Sequence, residues 1–244
     1  MAYVLENIYL TWSGRREYAS SVGHPAEGEL TTRATMSEFS GLRHFIWVTY
    51  WQSNIDLVPK RVSIMLAGYL LGASEAGLLR LARQIGSLLS KPAVLIRNVV
   101  FPDLTRSWHQ GSDDFKIIAY RTAMIGGAFG MLFVLVGFFF GDGILGTLFG
   151  EEYVAASAVL TLLLLAGTFD LTASSLRSAA YAIGQAGKVL RIHAVASVIY
   201  LALFVVLTIE MGLVGTGVAA CIAAIIPPIA MASLIHKSNP AKVA

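Results

Sequence analysis

Between Gly77 and Asp103 the chain reads GLLRLARQIGSLLSKPAVLIRNVVFPD. The stretch is long and apolar enough to cross a bilayer as one helix. Yet it carries Arg80, Arg83, Lys91 and Arg97. A cation facing lipid is costly, so four on one span turn toward protein or water. On a helix advancing about 100° per residue, Arg80, Arg83 and Lys91 fall within an arc of roughly 80°, with Arg97 about 40° beyond it. Gln84 shares their side, while Leu78, Leu79, Ile85, Leu89 and Val100 make the opposite face. Any fold for this chain has to accommodate that one-sided basic stripe inside a membrane. The competing reading is snorkelling. Arg80 and Arg97 lie near the two ends, within reach of the interfaces, whereas Lys91 sits near mid-span.

The rest of the chain supplies the membrane. Of 244 residues 56% are hydrophobic and only 14% charged, where a soluble domain has about 25% charged. The pattern predicts an all-α polytopic membrane protein, a six-helix transmembrane bundle over residues 42–236. A cytoplasmic polar segment, 1–41, precedes it, and a cytoplasmic tail, 237–244, follows. The expected spans are about 42–71, 77–101, 117–140, 154–183, 189–209 and 213–235. The first contains Gln52, Asn54, Asp56, Pro59, Lys60 and Arg61, and Pro59 is expected to kink or break it. Broken, polar spans are tolerated where they line a cavity. GDGILGTLFGEEY, after the third span, reads as a glycine-rich acidic loop, and Glu210–Gly212 as a tight turn. Pro227 and Pro228 are expected to bend the last helix. Gly126 with Gly130, and Gly137 with Gly141, recur one turn apart, a spacing that lets helices approach closely.

Charge in the connections sets the orientation. Arg15, Arg16 and Arg33 precede the first span, with Arg43 at its start, and Arg106 and Lys116 lie between the second and third, with Arg121 in the third's first turns. Lys188 lies between the fourth and fifth, with Arg191 at the start of the fifth, and Lys237 and Lys242 close the chain. The alternate connections hold only acids: Glu75, Asp142, Glu151, Glu152 and Glu210. This asymmetry predicts six passes with both termini cytoplasmic. The first residues, MAYVLENIYLTW, lack the basic and apolar regions of a cleavable signal.

No enzyme constellation is present: there is no HExxH, GxSxG, P-loop or paired-cysteine motif. His24, His44, His109, His193 and His236 are scattered, and Cys221 stands alone, so no metal, cofactor or disulfide is expected. The basic residues form no exposed block, which argues against nucleic acid as a partner. What remains is charge within the spans. Lys60, Arg61, Arg80, Arg83, Lys91, Arg97 and Arg177 face only Asp56 and Asp170. Asp56 and Lys60 are four residues apart, and Asp170 and Arg177 are two turns apart, so each is a candidate charge pair or coupling site. Even with both pairs formed, the excess is positive. A cavity so charged suits an anion, and in a membrane the natural one is a phosphate or diphosphate headgroup. A cation antiporter would show the opposite balance.

LAGYLLGASEAGLLRLARQIGSLLSKPAVLIRNVVFPDLTRSW, FGEEYVAASAVLTLL, AAYAIGQAGKVLRIHAVASVI and GLVGTGVAACIA follow one another in this order. Together they resemble the C-terminal half of the O-antigen and exopolysaccharide flippases, polysaccharide biosynthesis proteins of the superfamily that includes the MATE multidrug exporters. The resemblance covers roughly residues 40–235. It rests on Gly72 and Gly77 before the basic helix, Pro102 after it, Gly150, Glu151 and Tyr153, then Gly184, Gly187 and Lys188, and finally Gly212, Gly215 and Gly217. It implies one half of a twelve-or-more-helix fold with a central cavity. It also implies transport of an undecaprenyl-diphosphate-linked oligosaccharide across the bacterial inner membrane by alternating access. The family pattern has two bundles and this chain supplies one. The expected partners are therefore the lipid-linked glycan, membrane lipids and a second bundle, either another copy or an N-terminal half. Arg80, Arg83, Lys91, Arg97, Lys60 and Arg61 are the expected headgroup ligands. Two alternatives stand beside this reading: half of a multidrug or cation antiporter, and a non-transporting membrane subunit or truncated remnant.

Overall fold

The computed structural model describes residues 42–89, 104–108 and 114–238. The elements are α1 (Leu42–Leu70), α2 (Ala73–Gly86), which runs on into a 3-10 turn at Ser87–Leu89, and a single helical turn at 104–108. They continue with α3 (Asp114–Phe149), a 3-10 segment (Glu151–Ala156), α4 (Ser157–Ala182) and α5 (Ala186–His236). No strand occurs among the described residues. Three helical stretches, Asp114–Phe149, Glu151–Ala182 and Ala186–His236, are long and apolar enough to cross a membrane. The chain is thus an all-α protein of membrane-embedded character.

α5 is two helices. At Gly212 the backbone takes φ 62°, ψ −139°, a region that a residue with a Cβ enters only under strain. A Cβ placed on Gly215 would strike the Leu207 carbonyl. Residues eight apart on a straight helix are separated by about 12 Å, so the chain has doubled back. The arms 186–211 and 213–236 each have the length of a span. The reversal falls at the expected Glu210–Gly212 turn, and the helix passes through Pro227 and Pro228, both buried.

Turns at Gly150 and Gly184 reverse the chain in the same way, so α3, α4 and the arms of α5 alternate in direction. The last arm returns to the start of α3. The Lys116 Nζ donates to the His236 carbonyl at 3.2 Å, and the Tyr120 hydroxyl donates to the Ala232 carbonyl at 3.1 Å. One end of the bundle therefore collects Lys116, Lys188, Arg191 and Lys237. The other collects Glu151, Glu152 and Glu210. A separate apolar cluster fills each half. Toward the acidic end Leu79, Ala82, Leu145, Ala156, Val159 and Phe204 pack together. At the basic end Leu104, Trp108, Phe115, Ala179, Val189 and Ile235 do so, with the Trp108 and Phe115 rings 5.1 Å apart.

The glycine spacing in α3 has the packing meaning expected of it. Gly126, Gly130, Gly137 and Gly141 are all buried, and they face α4. A Cβ on Gly126 would lie 3.7 Å from the Leu171 carbonyl, and one on Gly130 only 2.6 Å from Thr168 Oγ1. On Gly137 it would lie 2.5 Å from a Leu164 methyl, and on Gly141 3.6 Å from Ser157 Cβ. Such a stripe lets two backbones approach where apolar burial alone gives no drive for helices to associate.

Two expectations change. Residues 141–149 are the last turns of α3, with no loop between them and the span. Leu145 is fully buried there, and the Thr147 hydroxyl donates to the Gly143 carbonyl at 2.6 Å. The glycines that looked like turn residues serve packing. Of the kink or break expected at Pro59, the break does not occur, since α1 is helical from Leu42 to Leu70. Gln52, Pro59, Ser63 and Ala67 recur on one buried face, and that burial carries the helix past the missing donor.

Candidate functional site

One contact joins two of the expected basic residues, Arg83 of α2 and the Lys60 backbone of α1. α2 packs its Leu79–Ala82 face into the core, and Gly86 lies against Leu163 of α4. That burial leaves Arg80 on the exposed side of α2 and Arg83 half-buried at the flank of the packed face. Arg83 lies three residues after Arg80, about 4.5 Å along the axis.

Arg83 reaches two other helices. Its Nη2 donates to the Tyr200 hydroxyl in the first arm of α5. Its guanidinium carbon lies 5.9 Å from the Tyr200 ring centroid, within cation–π range. Its Nη1 donates to the Lys60 carbonyl of α1 at 3.4 Å, a longer and weaker contact. The buried Nε meets no acceptor among the described residues. Tyr200 lies fourteen residues past Ala186 and twelve before Gly212, so the contact is about 18–21 Å from either end of its arm. The Tyr200 hydroxyl supplies an acceptor to a cation that the helices half-bury.

The contact also brings Lys60 and its neighbour Arg61 to this level. Both are exposed, as is Arg80. Three cations therefore stand open to whatever lies beside the bundle, and a fourth is held among helices. Arg83 is set apart from the other expected headgroup ligands because two of its donors bond groups on other helices. Elsewhere, Asp170 is exposed on α4 and Arg177 is half-buried two turns later. Lys91 and Arg97 lie outside the described residues. Asp56 falls within α1, and its side chain lies outside what is described.

Tyr200 was not among the expected site residues. The signal it left is a lone phenol in the aliphatic run SVIYLALFVVL. A polar tip at the centre of a span is a residue in want of a partner.

No family model matches the chain, and no characterised protein or solved structure is significantly similar to it.

Proposed function

We propose that this chain is one bundle of a membrane transporter that moves a diphosphate-linked lipid, with an oligosaccharide as the attached cargo. The observation that carries the reading is three exposed cations, Lys60 and Arg61 of α1 and Arg80 of α2, on the two segments that the Arg83 contact joins. Cations within spans demand an anionic or aqueous neighbour. A lipid diphosphate satisfies them and belongs in the same membrane.

The reading includes six passes with both ends cytoplasmic, α1 providing the first and residues 77–101, which begin in α2, the second. Trp47, Tyr50 and Trp51 are exposed near the start of α1, and Tyr69 is exposed near its end. Tyr50 and Tyr69 are about 28 Å apart along the helix, the separation of two interfacial aromatic belts. The basic end of the bundle would face the cytoplasm, with export by alternating access against a second bundle.

A second reading, a non-transporting membrane subunit, predicts that the exposed cations can be replaced without loss. Export separates the two. In cells lacking their own flippase, with the second half supplied, Lys60→Ala/Arg61→Ala/Arg80→Ala should abolish export of a lipid-linked glycan at unchanged membrane protein level. Full export by that variant would overturn the transporter reading.

A further inference from the structure

Of Lys60, Arg61, Arg80 and Arg83, only Arg83 has a side chain that bridges two other helices, α1 and α5. We propose that Arg83 is a positioning residue that never touches the transported anion. Using Tyr200 as its anchor, it holds the Lys60–Arg61 segment of α1 in place beside Arg80 of α2. The inference rests on the reading of Lys60, Arg61 and Arg80 as an anion site.

The geometry assigns the roles. A guanidinium is a planar fork, so one side chain can bond two groups in fixed relation. Here one prong takes the Tyr200 hydroxyl and the other the Lys60 carbonyl. The Tyr200 end is the anchored one, because Tyr200 is buried beside Phe204, ring centroids 5.7 Å apart. The Lys60 end is weak at 3.4 Å. α1 is packed close to α2 near their shared turn, where Gly68 faces Ala76. Lower down, the Arg83 bond restrains α1 at the residue that bears the first cation. The carbonyl it uses precedes Arg61, so loss of the bond frees both side chains of the pair.

The first test is a distance measurement on the full chain in nanodiscs, in a Cys221→Ala background. Spin labels go on Val58→Cys of α1 and Val198→Cys of α5, both exposed positions. Tyr200→Phe, which keeps the ring and removes the hydroxyl, should broaden the distance distribution, and Arg83→Lys should broaden it equally. An unchanged distribution in both overturns the proposal.

The second test is binding of a polyprenyl diphosphate to the same preparation. Tyr200→Phe should weaken it about tenfold, the scale of one charge-assisted hydrogen bond. Arg83→Lys should match that loss, and the double variant should be no worse than either single one. If Arg83 were instead a ligand for the anion, Lys would rescue it and Tyr200→Phe would bind as well as the wild type or better. A wild-type chain that binds no diphosphate, yet broadens on Tyr200→Phe, would defeat the anion site and leave the tether standing.

Discussion

Gly130→Ala is the sharpest perturbation of the bundle. The added Cβ would sit 2.6 Å from Thr168 Oγ1, 2.8 Å from its Cγ2 and 2.9 Å from its Cβ. Turning Thr168 about χ1 moves the first two atoms, at the expense of the hydroxyl bond to the Leu164 carbonyl. It does not move the Cβ, which is fixed to the α4 backbone. To reach an ordinary carbon contact, α3 and α4 must separate by about 0.8 Å. Overpacking of this kind costs about 1–3 kcal/mol. Gly137→Ala is the internal control. Its shortest contact, 2.5 Å, is to the tip of Leu164, and the next is 3.7 Å away. A rotamer change absorbs that for about 0.5–1.5 kcal/mol. Reversible unfolding in mixed detergent micelles, followed by circular dichroism, should rank Gly130→Ala as the more damaging. Thr168→Gly should recover part of the Gly130→Ala loss in a double-mutant cycle. A neutral Gly130→Ala, or a reversed ranking, would refute the close approach of α3 and α4.

Four further outcomes follow from the structure and the sequence. Gly215→Ala should cost more than Gly130→Ala in that assay, because its Cβ meets the Leu207 carbonyl and the Thr208 nitrogen, both backbone. Gly212→Ala should add strain of about 1–3 kcal/mol at the reversal of α5. Cysteine introduced at Asp142 or Glu152 should be labelled by an impermeant thiol reagent from outside the cell, and at Lys188 from inside only. Outside labelling at Lys188 would end the six-pass topology. Lys91→Arg should keep most export, Lys91→Ala lose most of it and Lys91→Glu lose all of it; full export by Lys91→Ala would remove Lys91 from the site.

Much of the bundle was legible because lipid narrows the choices. Apolar runs of span length become helices, since backbone groups have no water to bond. The Glu210–Gly212 break was readable because acid and glycine interrupt two such runs. The Gly126 and Gly130 pair was readable from spacing alone. The end of α3 was not. Gly141, Gly143 and Gly146 carry turn chemistry in water, and only the buried Leu145 and the facing Ser157 make them helical. The Arg83–Tyr200 contact was illegible for a different reason. The two residues are 117 positions apart, and no periodicity along one helix points to a partner on another. Sequence placed Arg83 on the basic side of its helix; which group it bonds is decided by how the first arm of α5 crosses α2.

The most direct test of the anion site is native mass spectrometry of the purified chain with a polyprenyl diphosphate and the polyprenol of equal length. The account predicts retention of the diphosphate and not the alcohol, with retention lost in Lys60→Ala/Arg61→Ala/Arg80→Ala. Equal retention of the two lipids, or undiminished retention by the triple variant, would contradict it.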